Sequence, residues 1–467
     1  MGHNAGVSAP RVVIVGGGPG GYEAALVAAQ LGANVTIVDR DGIGGSAVLT
    51  DCVPSKTLIA TAEAMLTVEH ADDFGVVVPG GARVDLGLAN ARVKKLALAQ
   101  SADISARLAK DGVAVMPGTA VLESPERIAV TTTAGEQRTL SADMVLVATG
   151  AHPRVLPDAV PDGERILTWT QVYELAELPE RLVVVGSGVT GAEFAGAYQA
   201  LGSQVVLVSS RDRVLPSEDP DAAAVIEVAF TRSGMEVMSR SRAASVRRHG
   251  DGVVVTLTDG RVVEGSHCLL AVGSIPNTKG IGLEAAGVAC DDFGFVTVDR
   301  VSRTTARGVY AAGDCTGVNM LASVAAMQGR IAMWHQLGDA VMPLGLRAVS
   351  ANVFTQPEIA TVGWQETDLA AEGMRAVSVL LPLPGNPRAK MLDIHEGFVK
   401  LFARQGSGTV LGGVVVSPRA SELIHAVSLA VSHKLTVDQV AATFTVYPSL
   451  SGSTAEAARQ LHTAVQA

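Results

Sequence analysis

One pattern of apolar and polar positions occurs twice along the chain. The first copy opens with Arg-Val-Val-Ile-Val at 11–15. A glycine-rich turn at 16–21, a stretch with helical spacing over 22–31 and an apolar run at 34–38 closing on Asp39 follow. The second copy opens with Arg-Leu-Val-Val-Val at 181–185. It has its turn at 186–191, its helix through Leu201 and its second apolar run at 204–208, closing on Ser209, Ser210 and Arg211. A short, continuous apolar run fits a strand covered on both faces, so each copy predicts a strand–helix–strand unit of a parallel sheet. Residues 127–150 alternate like a short β-meander and end in Ala148, Thr149 and Gly150; residues 252–273 repeat that design. A further strand is expected over 309–313, ending on Asp314. From about residue 350 the pattern changes, with a hairpin expected near 398–416 and a helix near 421–433. These elements predict an α/β chain with two Rossmann-like dinucleotide-binding domains and an α+β C-terminal domain. The expected divisions are 1–150, 151–275, 276–349 and 350–467, the first and third forming one domain in two parts.

Composition narrows the function. The 467 residues carry a net charge of −10 with both signs interspersed, which argues against nucleic acid or an anionic membrane surface as the main partner. Four cysteines lie far apart without metal-type pairing, as expected in a reducing cytoplasm, and no metal is expected. The N-terminus lacks a basic region followed by an apolar one, and no uninterrupted apolar run reaches membrane-spanning length.

The two turns point to dinucleotides. Gly16, Gly18 and Gly21 in one, and Gly186, Gly188 and Gly191 in the other, each follow a strand and open a helix. Such glycines allow a tight turn, close approach of a pyrophosphate, and helix–strand packing, while the helix N-terminus supplies free N–H groups. Asp39 lies 18 residues beyond Gly21, where a carboxylate accepts from a ribose hydroxyl and disfavours a 2′-phosphate, which fits the adenosine of FAD. The second copy has hydroxyls and guanidinium groups at that place, Ser210 and Arg211 with Arg213 nearby, which suit the 2′-phosphate of NADPH. NADH remains possible, because Arg211 and Arg213 can equally be solvated loop residues.

Residues 44–56 read Gly-Gly-Ser-Ala-Val-Leu-Thr-Asp-Cys-Val-Pro-Ser-Lys. This resembles the Cys-x4-Cys-x-Pro-Ser-Lys motif of the flavoprotein disulfide reductases, with Cys52, Pro54, Ser55 and Lys56 in place and Ala47 at the first cysteine. A disulfide relay needs one thiolate to attack a mixed disulfide held by another, so one sulfur cannot run it. The resemblance covers residues 11 to about 459 and implies FAD, a homodimer formed by the C-terminal domain, and several site roles. It implies that Asp314 holds the ribityl chain beside Thr149 and Gly150, the alternative being a helix N-cap. Lys56 is implied to lie near the flavin and to pair with Glu193, with Val189 gating the ring and Ala47, Gly118 and Gly273 completing the cofactor contacts. Related chains carry Arg where this one has Ser274, which tells against NADPH. Cys52 lies just before Pro54, expected as a first-turn proline of a helix whose field favours the thiolate, while the adjacent Asp51 opposes ionisation; it is either a redox thiol or an inert one.

The disulfide reductases also carry a His-Pro-Thr-x-x-Glu segment, and here Tyr447 stands at the histidine and Gly452 at the glutamate. All three losses remove the thiol half-reaction and leave the hydride-accepting half. The chain resembles the actinobacterial lipoamide-dehydrogenase-like NAD(P)H:quinone reductases, which implies an enzyme passing hydride from NADPH through FAD to a quinone. Tyr447 is then expected to flank the acceptor or donate to a quinone oxygen. A single-cysteine NAD(P)H peroxidase or oxidase, a soluble transhydrogenase and a non-catalytic flavoprotein subunit remain alternatives.

Overall fold

The computed structural model describes residues 9–466, which form two compact units. One unit holds the described residues up to Thr57 together with Leu88–Arg154 and Gly273–Leu344; the other holds Leu58–Gly87, Val155–Val272 and the described residues from Gly345 onward.

In the first unit the strand Arg11–Val15 lies between Met144–Val147 and Asn34–Asp39, all parallel, with Val309–Ala311 beyond Met144–Val147. Ala114–Ser124 joins the other side in parallel, then Arg127–Thr132 and Gln137–Ser141 turn back as an antiparallel meander. The predicted meander thus begins one strand earlier than its alternation suggested. Strand Arg11–Val15 is buried at four of its five positions because helices cover one face and the meander covers the other. The crossover helix Pro19–Gln30 starts at a proline, whose fixed φ suits a first helical position.

The second unit repeats the arrangement. Five parallel strands run in the order Glu236–Met238, Gln204–Val208, Arg181–Val185, His267–Leu270, Ile166–Thr168. An antiparallel meander, Ala243–His249, Gly252–Leu257 and Val262–Gly265, packs on it. Beyond Gly345 the same unit holds a five-stranded antiparallel sheet in the order Ser350–Val353, Glu358–Gly363, Val410–Ser417, Phe398–Arg404, Ala376–Pro382. Helices Ala420–Ser432 and Gly452–Gln466 bury Ile424, Val427, Ala458 and Leu461 against it. Among the described residues, no helix is long and apolar enough to cross a membrane.

Candidate active site

The first glycine-rich turn divides its glycines between packing and space. A Cβ on Gly16 would lie 2.2 Å from the Ala148 carbonyl oxygen, and one on Gly21 would lie 1.9 Å from the Gly16 carbonyl oxygen. Gly18 is open: the nearest atom to a Cβ there is 4.0 Å away. Gly16 and Gly21 therefore close strand onto helix, and Gly18 leaves a cradle over the N-terminus of Pro19–Gln30, where N–H groups face an approaching anion. Asp39 ends the neighbouring strand, and its carboxylate accepts the N–H groups of Gly17 at 2.6 Å, Asp41 at 2.8 Å and Gly42 at 2.6 Å. These bonds fix the acid beside the cradle. Gly118 is buried one residue past Pro117, the register partner of Asp39.

Thr149, Gly150 and Asp314 gather at the carboxyl end of the same parallel strands. Asn277 holds the first two, its Nδ2 donating to the Thr149 carbonyl and its backbone N–H to the Gly150 carbonyl, both at 2.9 Å. Asp314 opens the short turn Asp314–Thr316 after Gly313, whose N–H donates to the buried Gln328 Oε1 at 2.8 Å. The residue preceding that turn is Gly313, and no side chain caps it, so the cap alternative for Asp314 finds no bond. Burial first, and the charge of Asp51 second, push the Asp314 carboxyl up to about 6.

Ala47 sits inside the helix Gly45–Leu49, which is fastened to the glycine turn by the Gly44 N–H on the Gly17 carbonyl at 2.8 Å. Cys52 opens the helix Cys52–Glu69, with Pro54 in its first turn and Lys56 one turn on. All four cysteines are free. Cys315 lies fully buried under Thr149 and Gly150, its thiol pushed up to about 11 by burial, so it is no mobile relay partner. Residues Thr149, Gly150, Asp314, Asp39 and the open Gly18 thus fit FAD, with Cys52 and Lys56 in the same unit.

In the second unit the turn is built alike. A Cβ would meet the Ala271 carbonyl oxygen at 2.1 Å from Gly186 and the Gly186 carbonyl oxygen at 1.8 Å from Gly191, while Gly188 faces nothing within 4 Å. Val189 is the first residue of the helix Val189–Leu201 and is 38 % exposed. Glu193, one turn on, is buried, and its Oε1 accepts the Phe354 N–H at 2.9 Å. Lys56 belongs to the first unit and Glu193 to the second.

In the loop after Gln204–Val208, Ser209 is fully buried, with its hydroxyl 2.6 Å from that of Ser187 in the glycine turn. Ser210 and Arg211 are exposed beside it, and Arg213 is turned onto the Pro216 carbonyl at 3.2 Å. Gly273 adopts φ +97° just before the strand Ser274–Pro276, which pairs with Ala151–Pro153. Sequence reasoning found Ser274 where an arginine was expected. Across that pairing Arg154 reaches back, with Nη2 3.5 Å from the Ser274 carbonyl, so a guanidinium lies beside the position after all. Only the pairing of distant segments reveals it.

Tyr447 is 83 % exposed, and Val446 and Phe444 beside it are exposed too. Gly452 begins the helix Gly452–Gln466 with its N–H on Ser449 Oγ at 3.2 Å, so neither position carries a carboxylate–imidazole pair. One ionic cluster was not foreseen. The buried Lys400 ammonium lies 3.0 Å from Asp219, 2.8 Å from Asp221 and 2.7 Å from Glu366. Burial alone would lower its affinity for the proton, but the bonds it donates to Asp221, Glu366 and Asp219 raise it. Those three carboxylates have metal-ligand spacing, and the ammonium stands among them.

Comparison with known proteins bears on these two sites. Residues 10–329 match the family described as pyridine nucleotide-disulphide oxidoreductase, and residues 349–458 match its dimerisation domain. A Mycobacterium tuberculosis protein named NAD(P)H dehydrogenase (quinone) is 55 % identical over 461 residues, which cover 97 % of this chain and 94 % of the relative. A dihydrolipoyl dehydrogenase of Chlorobaculum parvum is 34 % identical over 451 residues, 96 % of each chain. The crystal structure of LpdA from Mycobacterium tuberculosis superposes with a TM-score of 0.93 at 54 % identity, covering 97 % of this chain and 99 % of that one.

Proposed function

Because the chain belongs to the pyridine nucleotide-disulphide oxidoreductase family, whose members use FAD and NAD(P)H, we propose that it is an NAD(P)H:quinone oxidoreductase. In this reading hydride comes from NADPH, or from NADH, and the electrons leave to a quinone-type acceptor without a protein disulfide. The observation that carries it is Ala47 on the segment bonded to the glycine turn, with Cys52 the lone sulfur of the motif. The name of the 55 % identical relative supports the choice of acceptor.

Bound FAD would supply the redox chemistry, accepting a hydride and releasing electrons singly or in pairs. The chain's own residues would bind and orient. Gly16, Gly18, Gly21, Asp39, Ala47, Gly118, Thr149, Gly150 and Asp314 would hold the flavin nucleotide. Gly186, Gly188, Val189, Gly191, Ser210, Arg211 and Gly273 would hold the nicotinamide dinucleotide. The Lys56 ammonium would balance negative charge at the ring, and Glu193 would orient Lys56. Tyr447 would flank the acceptor or donate its hydroxyl proton in a hydrogen bond to a quinone oxygen. The chain would work as a homodimer in a reducing cytoplasm, with residues 1–150 and 276–349 as the FAD domain, 151–275 as the NAD(P) domain and 350–467 as the dimerisation domain. A steady-state acceptor panel with NADPH and NADH tests this. Quinones should support turnover, while lipoamide, hydrogen peroxide and a thio-NAD acceptor should not. Brisk lipoamide turnover would overturn the reading.

A further inference from the structure

Two arginines are joined backbone to backbone at the carboxyl end of the parallel sheet in the second unit. The strands Gln204–Val208 and Glu236–Met238 are neighbours, with Val208 opposite Met238. Their pairing continues past both ends. Ser209 N–H donates to the Met238 carbonyl at 2.9 Å, Ser241 N–H to the Ser209 carbonyl at 2.6 Å, and Arg240 N–H to the Arg211 carbonyl at 2.6 Å. Arg240 is held at φ +53°, a conformation that few non-glycine residues adopt and that is often kept at functional sites.

Both side chains are exposed, and among the described residues neither guanidinium has an ion-pair or hydrogen-bond partner. Of the nearby arginines, Arg213 is engaged with the Pro216 carbonyl and Arg261 with Asp259 and the Ser241 hydroxyl, while Arg242 is exposed and its backbone carbonyl accepts the Thr258 N–H at 2.9 Å, outside the Arg211–Arg240 bond. In a chain of net charge −10, two exposed guanidinium groups without partners, carried by residues bonded backbone to backbone, suit an anion. The platform that carries them is also fixed to the glycine turn, through the 2.6 Å contact of Ser209 with Ser187.

We propose that Arg240 joins Arg211 in gripping the 2′-phosphate of NADPH, as a second guanidinium supplied by the adjoining strand. The proposal rests on reading the second glycine turn as the nicotinamide dinucleotide site. A phosphate monoester carries close to two negative charges and three acceptor oxygens, so it can engage two planar guanidinium forks at once. NADH offers a neutral hydroxyl there. Arg240 is therefore a specificity-determining residue that takes no part in hydride transfer.

The test uses the FAD-loaded protein with 2′,5′-ADP and 5′-AMP as probes in calorimetric titration, and the ratio of kcat/KM for NADPH to that for NADH with a quinone acceptor. Asparagine tolerates left-handed backbone, so Arg240→Asn keeps the local fold. The parent protein should prefer 2′,5′-ADP by tenfold or more, Arg240→Asn should cut that preference by about tenfold, and Arg240→Lys should recover part of it. The kinetic ratio should move in parallel. An unchanged preference in Arg240→Asn, or a parent protein that binds the two probes alike, would overturn the assignment. Binding is measured without an acceptor, so a protein that discriminates the probes but reduces no quinone would sink the proposed function and leave this assignment standing.

Discussion

The backbone N–H of Phe354 donates to the Glu193 carboxylate at 2.9 Å, so a residue one turn into the helix Val189–Leu201 also anchors the segment that follows the strand Ser350–Val353. Glu193 is buried, which makes its acceptor costly to delete. Glu193→Ala should lower stability by about 1–3 kcal/mol in denaturant unfolding, because a part-buried N–H loses its acceptor. Glu193→Gln keeps an oxygen for Phe354 and should lose much less. If the charge of Glu193 orients Lys56, both variants should slow flavin reduction by NADPH by about tenfold or more in stopped-flow absorbance.

Gly191 and Gly188 should fail in different ways. A Cβ on Gly191 would lie 1.8 Å from the Gly186 carbonyl oxygen, so Gly191→Ala should give little folded protein. Gly188 faces nothing within 4 Å in the protein, so Gly188→Ala should fold with an unchanged melting temperature. Its methyl would stand where the pyrophosphate approaches, and KM for NADPH should rise by about tenfold.

Lys400 with Asp219, Asp221 and Glu366 predicts a stability effect without a chemical role. Lys400→Met leaves three carboxylates together, Asp219 among them fully buried, and should cost about 3–5 kcal/mol in chemical denaturation. The proton affinity of Lys400 is raised in the folded chain. Its contribution is therefore fully present below the ordinary lysine value of 10.5 and fades only as the pH climbs beyond it.

Asp314 has the same sign of pH dependence, in a lower pH window. Its carboxyl is raised from the ordinary 3.8 to about 6 in the flavin-free chain, so the stability it contributes is present below 3.8 and lost as the pH rises through about 6. Relative to the parent, flavin-free Asp314→Asn should gain stability by about 2–3 kcal/mol between about pH 4 and about pH 7, read from denaturant midpoints at the two values.

What was legible in the sequence was what is local. The apolar runs at 11–15 and 181–185, the turns behind them and the hairpin and helix of the C-terminal region are set by neighbouring residues, and each appears where its pattern placed it. The missing sulfur at Ala47 was likewise a matter of spacing. The illegible parts join distant segments. Glu193 meets Phe354, Lys400 meets Asp219, Arg154 meets Ser274 and Arg240 meets Arg211, and no short-range pattern announces such partners. Ser209 shows the same limit from the other side, since a hydroxyl in a promising loop is bonded inward to Ser187.

The central claim is that electrons leave the flavin without passing through protein sulfur, and Cys52→Ser tests it most directly. Quinone-dependent oxidation of NADPH by this variant should stay within about threefold of the parent, because no relay runs through that thiol. A fall of about a hundredfold with the flavin still bound and still reducible by NADPH would contradict the account.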